Sequence, residues 1–186
     1  MTKKILAFAA SNSRQSINKK LVTYAANQVS DAKVTLLDLN DFEMPIYSID
    51  REKESGIHEL AHKFKALIKE TDGVIISFAE HNGAYSAAFK NIFDWISRLG
   101  KDVWESKPML LMATSPGGRG GKTVLEIALN RFQLANKNTI ASFSLPFFKE
   151  NFAGENGITD ELFLQEFKIK LATFEEAIVP FENVEG

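Results

Sequence analysis

Gly73 to Phe78 is a continuous apolar run without a charge. A run of this kind belongs to a strand covered on both faces of a parallel sheet. Such a strand obliges the rest of the chain to supply helices above and below it, and the sequence has that rhythm. Ile5 to Ala10 is an apolar strand candidate, and Ile17, Leu21, Ala25 and Val29 then recur at helical spacing. Val34 to Leu39 reads as the second strand, followed by a loop over Asp41 to Ser55 that holds Pro45. Ile57, Leu60, Ala61, Phe64, Leu67 and Ile68 stripe one face of an amphipathic helix. After the Gly73–Phe78 strand, Ala88, Ile92, Phe93 and Ile96 mark a helix ending near Gly100. Pro108 to Ala113 and Thr139 to Phe143 are the last two strands, with a helix over Thr123 to Ala135 between them. A final helix, striped by Phe163, Phe167, Leu171, Phe174 and Ile178, is expected to stop before Pro180.

Five strands alternating with five helices predict an α/β fold, because right-handed crossovers between parallel strands place helices on both faces. Of the common doubly wound orders, 2-1-3-4-5 suits five strands. A chain of 186 residues is expected to form a single domain over 1–186. Lys plus Arg is 22 and Asp plus Glu is 24, a net charge of −2. That balance argues against a dedicated nucleic-acid binder and against the strongly acidic surface of a small electron carrier that docks by charge. With zero cysteines, disulfides, thiolate nucleophiles, zinc–thiolate sites and Cys-ligated iron–sulfur clusters are excluded. The apolar run after Met1-Thr2-Lys3-Lys4 is too short to span a membrane and weak as a signal peptide. A soluble, cytoplasmic protein with no membrane partner is expected.

In doubly wound sheets ligands bind beyond the carboxyl ends of the strands, which directs attention to three loops. The first is Ser11-Asn12-Ser13-Arg14-Gln15-Ser16-Ile17-Asn18. It gathers hydroxyls, amides and a guanidinium at a helix start, where free N–H groups and the helix dipole favour an anion such as a phosphate. Capping by Ser16 or Asn18 explains one residue of this cluster and not the whole. The third loop, Ser115-Pro116-Gly117-Gly118-Arg119-Gly120-Gly121-Lys122-Thr123, carries four glycines that let backbone approach a ligand. Its end resembles a P-loop, which makes a nucleotide hydrolase a rival reading, but Pro116 stands where a P-loop has Gly. Arg119 and Lys122 read as solvated loop charges. The middle loop, Ala79-Glu80-His81-Asn82-Gly83-Ala84-Tyr85, reads as a polar turn at Asn82-Gly83. Beside the other two loops it would offer backbone and the Asn82 amide to a planar ring.

Taken together, these loops resemble the NADPH-dependent FMN reductases, a family of flavodoxin-like quinone, azo-dye and flavin reductases. The resemblance runs from Lys4 to about Val179. The family's first loop, Gly-Ser-x-Arg-x-x-Ser-x-Asn in character, is matched by Ser11, Ser13, Arg14, Ser16 and Asn18, with Ala10 in place of Gly and a shorter Arg-to-Ser spacing. Its second motif is matched by Glu80, Asn82, Gly83, Tyr85, Lys90, Asn91, Asp94 and Trp95, with Ala79 and His81 replacing Pro and Tyr. Its third is matched by Ser115, Pro116, Gly117, Gly120 and Gly121.

The resemblance implies a flavodoxin-like, doubly wound five-stranded parallel sheet that binds FMN. Ser11, Ser13, Arg14, Ser16, Ile17 and Asn18 are the expected phosphate loop; Ala79, Glu80, His81 and Asn82, with Ser115, Pro116, Gly117 and Gly118, are expected around the ring. It also implies NADPH or NADH as hydride donor, a small flavin, quinone or azo acceptor, and no obligatory side-chain acid or base. A homodimer or homotetramer is implied too, and the aromatic run around Phe93–Trp104 suits a partner surface. A flavin-binding electron carrier without enzyme activity is the alternative reading.

His58-Glu59-Leu60-Ala61-His62 matches the H-E-x-x-H pattern of zinc proteases. Because Ile57, Leu60, Ala61 and Phe64 already form the inner face of that helix, His58 and Glu59 are expected toward solvent, and no metal site is expected.

Overall fold

The computed structural model describes residues 2–178, with Glu155 described by its backbone alone. Its main sheet is parallel and contains β1 (Lys3–Ala10), β2 (Ala32–Leu37), β3 (Gly73–Phe78), β6 (Met109–Thr114) and β7 (Ile140–Leu145), in the order β2-β1-β3-β6-β7. This is the expected flavodoxin-like order of five parallel strands. Two short strands, β4 (Glu80–His81) and β5 (Ala84–Tyr85), pair antiparallel as a separate hairpin.

Burial follows position in the sheet. β3 and β6 are buried at every residue, and β1 from Ile5 onward. Edge strand β7 alternates between half-buried and buried residues, the period expected where only one face is fully covered. Ile5, Ala7 and Ala9 of β1 join Leu21, Val22 and Ala25 of α1 (Ile17–Asn27) and Phe167, Leu171 and Phe174 of α7 (Glu161–Ala177). Leu6, Phe8 and Ala10 point the other way. They meet α3 (Glu59–Lys69), α4 (Ala87–Ile96) and α5 (Lys122–Gln133) through Phe64, Phe89 and Val124. The alternation of Cβ directions along one strand thus divides the core into two layers.

Four features depart from expectation. The second strand ends at Leu37, because the Asp38 side chain accepts a hydrogen bond from Asn40 N and starts a 3₁₀ turn over Leu39–Phe42. The loop expected over Asp41–Ser55 contains α2 (Ile49–Ser55), capped by Ser48. A short α6 (Phe148–Asn151) follows β7. The aromatic run at Phe93–Trp104 is also different from the expected partner surface: Phe93, Trp95 and Trp104 are all buried within the chain. Trp104 packs on Phe132 with ring centroids 4.9 Å apart.

The last helix ends at Ala177, and Pro180, expected to stop it, lies outside the described residues. Among the described residues, no helix is long and apolar enough to cross a membrane.

Candidate functional site

β1, β3 and β6 are neighbours in the sheet and run parallel, so the loops that leave their carboxyl ends emerge side by side. Local and long-range bonds then fix those loops to one another.

In the first loop, Ser16 caps α1: its hydroxyl accepts from Lys19 N at 3.3 Å. Ser11 is buried and its Oγ accepts from Ser13 N. Among the described residues, the backbone N–H groups of Arg14, Gln15, Ile17 and Asn18 have no hydrogen-bond partner. Arg14 is exposed beside them, so a positive helix end, free donors and a guanidinium share one place.

The Asn18 side chain does something else. It is buried, its Oδ1 accepts from Ser77 Oγ at 2.7 Å and Thr114 N at 3.1 Å, and its Nδ2 donates to Thr114 O at 3.2 Å. Its polar atoms therefore join α1 to the ends of β3 and β6. Ser77 and Ser86 escaped the sequence reading. Ser86 donates to Ala10 O at 2.8 Å and caps α4 through Phe89 N. A Ser just before a helix was the only available signal for it.

The middle loop is the β4–β5 hairpin. Asn82 and Gly83 form its turn with φ of 52° and 75°, the left-handed pair that a two-residue hairpin with right-handed twist requires. Ala79 is buried, while His81 and Asn82 are exposed. Glu80 reaches away from the hairpin: its Oε2 accepts from Val124 N at 3.1 Å, in the first turn of α5. Gly121, the residue before that helix, supplies no side-chain cap, so Glu80 provides one from another loop.

This contact bears on the P-loop resemblance. A carboxylate occupies the helix start where such a loop would seat a phosphate. The Gly120 and Lys122 amides are engaged inside the loop, with Gly117 O and Arg119 O. Gly120 and Gly121 also prove to be packing glycines. Their φ values are 60° and 73°, and a Cβ on either would lie within 3.0 Å of β6, β7 or the residue after it. Pro116, Gly117 and Gly118 remain exposed, Ser115 half-exposed, and nothing lies within 4 Å of a Cβ built on Gly117. The part of the loop open to a ligand is thus Ser115–Gly118. Arg119 and Lys122 are exposed.

A fourth wall comes from the β2–α2 connection, which the sequence reading did not single out. Asn40 Nδ2 donates to Asn12 O at 3.2 Å. Asn91 and Trp95 of α4 pin Met44, Pro45 and Tyr47: Asn91 Nδ2 donates to Met44 O, Trp95 Nε1 to Pro45 O, and Tyr47 N to Asn91 Oδ1. Two motif residues in α4 therefore shape the rim from behind.

The H-E-x-x-H pattern resolves as a helix start. His58 precedes α3 and its Nδ1 accepts from Leu60 N at 3.2 Å, with the ring half-buried and its centroid 6.2 Å from that of Trp95. Glu59 and His62 are exposed, and Glu59 pairs with Lys63. His58 lies outside the helix, so the two imidazoles do not form an i, i+4 pair on a helical face.

A family model for NADPH-dependent FMN reductase matches residues 3–151. A 2-hydroxy-1,4-benzoquinone reductase from Burkholderia sp is 35% identical over 122 residues, 64% of this chain and 64% of that protein, just under two thirds of its length. An uncharacterized protein of Mycoplasma pneumoniae is 29% identical over 168 residues, 86% of this chain and 97% of its own. Among solved structures, the flavoenzyme NAD(P)H:(acceptor) oxidoreductase FerB from Paracoccus denitrificans superposes with a TM-score of 0.72. It covers 96% of this chain and 100% of that chain at 23% identity, a likeness of fold.

Proposed function

This chain belongs to the NADPH-dependent FMN reductase family, and from that premise we propose that it is an FMN-dependent NAD(P)H oxidoreductase acting on a small quinone, azo or flavin acceptor. The observation that carries the reading is the set of free N–H groups at Arg14, Gln15, Ile17 and Asn18, next to the exposed Arg14 side chain. Donors at a helix start beside a guanidinium suit a phosphate monoester, which FMN has.

The residues fit the cofactor. Ser11, Ser13, Arg14, Ser16, Ile17 and Asn18 would form the phosphate loop, with Asn18 holding its base in place. Ala79, Glu80, His81 and Asn82 and the open stretch Ser115, Pro116, Gly117 and Gly118 would flank the ring. When bound, the flavin supplies the redox chemistry, accepting a hydride from NADPH or NADH and passing reducing equivalents to the acceptor. The protein's part is to bind, orient and leave one face accessible. Glu80 keeps the middle and third loops together, and His81 places an exposed imidazole at the mouth. The same reading includes one domain over 1–186, a homodimer or homotetramer, and a cytoplasmic setting.

The test is an absorbance spectrum of protein incubated with FMN and desalted, followed by NADPH oxidation with benzoquinone as acceptor. A flavin spectrum and acceptor-dependent turnover are expected. A colourless protein would overturn the reading. A flavin-loaded protein that NADPH and NADH leave oxidised would point instead to the non-enzymatic carrier.

A further inference from the structure

We propose that Phe147 is a specificity-determining residue, whose ring is the platform on which the planar aromatic part of a second substrate stacks at the edge of the site. The inference rests on the reading of Ser115–Gly118 as a wall of the flavin site.

Phe147 has φ 46° and ψ 59°, the left-handed region. The other non-glycine residues with positive φ among those described are Asp31, Asn82, Glu105 and Ser106, all polar. A bulky side chain is rare there. The surrounding backbone imposes the conformation. Phe147 N donates to Gly117 O at 3.2 Å, Phe148 N to Ser115 O at 3.1 Å, and Phe147 O accepts from Glu150 N and Asn151 N, each at 3.0 Å. The third loop and the turn after β7 are thus locked together at this residue.

Burial does not account for a phenylalanine at that point. Phe147 is 49% exposed, whereas Phe148 beside it is buried. Gly or Asn would take the same backbone more readily. The ring approaches the open loop: a Cβ built on Gly118 would lie 2.8 Å from Phe147 Cζ. The absence of a side chain at Gly118 leaves room for the far edge of this half-exposed ring. An aromatic ring whose backbone is tied to a ligand loop is suited to offset stacking. Exposed Arg119 and Lys149 follow close in the chain and would draw phosphates. The stacking partner is therefore a planar ring, either the adenine of NAD(P)H or the ring of a quinone acceptor.

The test uses FMN-loaded wild-type protein and the variants Phe147→Gly and Phe147→Tyr. KM for NADPH is measured at saturating benzoquinone, and KM for benzoquinone at saturating NADPH. Phe147→Gly is expected to raise one of the two by roughly 5- to 100-fold, the worth of one lost stacking contact, with kcat within about twofold. Its FMN affinity and melting temperature should not fall, and Phe147→Tyr should restore the KM. The KM that rises identifies the ring: adenine if NADPH, acceptor if benzoquinone. Two unchanged KM values would overturn the proposal. So would a fall in FMN affinity and melting temperature together with the KM change, which marks a structural role. Wild-type protein that takes up no FMN would instead remove the site reading beneath it, and this proposal with it.

Discussion

Asn18 and Thr114 exchange two hydrogen bonds across 96 residues of chain: Thr114 N donates to Asn18 Oδ1, and Asn18 Nδ2 donates to Thr114 O. The same Oδ1 accepts from Ser77 Oγ. A carboxamide answers a backbone N–H and a backbone C=O at once, which neither Asp nor Leu can do. One side chain at the start of α1 therefore sets where the ends of β3 and β6 stand, and with them the loops that leave those ends.

Asn18→Ala should cost about 2–4 kcal/mol of stability, because it leaves the Thr114 amide and carbonyl and the Ser77 hydroxyl short of partners in a buried place. Urea unfolding at constant m-value measures it. A loss below about 0.5 kcal/mol would mean that water or a neighbour replaces the amide.

Glu80→Ala should free the Val124 N–H and lower stability by about 0.5–2 kcal/mol, as loss of a helix cap does. Glu80→Gln keeps an acceptor and should cost less. Amide exchange at Val124 distinguishes the two. It should accelerate strongly in the Ala variant, and equal protection in all three proteins would remove the contact from the account.

Lys19 Nζ lies 2.7 Å from Asp38 Oδ2. The Lys19 side-chain hydrogen bond first, and the Asn40 N–H next, hold the Asp38 carboxyl down at about 2, against an ordinary 3.8. A depressed carboxyl stabilises the fold above the unfolded value, and that contribution fades as pH falls from about 4 toward 2. Both side chains are over a third exposed or close to it, so solvent reduces the pair to about 0–1 kcal/mol. Carboxyl NMR titration should show Asp38 moving back toward 3.8 in Lys19→Met. An unmoved Asp38 would leave Asn40 as the sole cause.

The three loops are all taken up around one ring in this reading, with Phe147 at the edge of its single open face. NAD(P)H and acceptor should then use the same open face in turn. Varying both should give parallel double-reciprocal lines, and His81→Tyr should alter the acceptor profile more than the FMN affinity. Intersecting lines would indicate a ternary complex.

What the sequence revealed follows from the range of the forces involved. Gly73–Phe78 is legible to the residue, since burial on both faces leaves a run without charge, broken only by Ser77. α2 is not legible, because its apolar residue Ile49 is exposed and none of its residues is buried, so no stripe marks it. The Asn82-Gly83 turn is a local matter of backbone sign and reads directly. The roles of Asn18, Glu80 and Asn91 depend on partners 96, 44 and 47 residues away, which no local pattern encodes. The glycine loop shows the same limit. Its composition suggested ligand approach throughout, yet Gly120 and Gly121 are required by contacts with β6 and the end of β7.

The most direct test of the central claim is titration of the apoprotein with FMN, riboflavin and FAD, followed by quenching of flavin fluorescence, in wild-type protein and Arg14→Ala. FMN should bind tightest in the wild type. Arg14→Ala should weaken FMN by about 1.5–3 kcal/mol, the worth of a charge-assisted bond, and leave riboflavin nearly unchanged. Equal or tighter binding of FAD, or equal weakening of FMN and riboflavin, would contradict the assignment of a phosphate to the free amides at Arg14–Asn18.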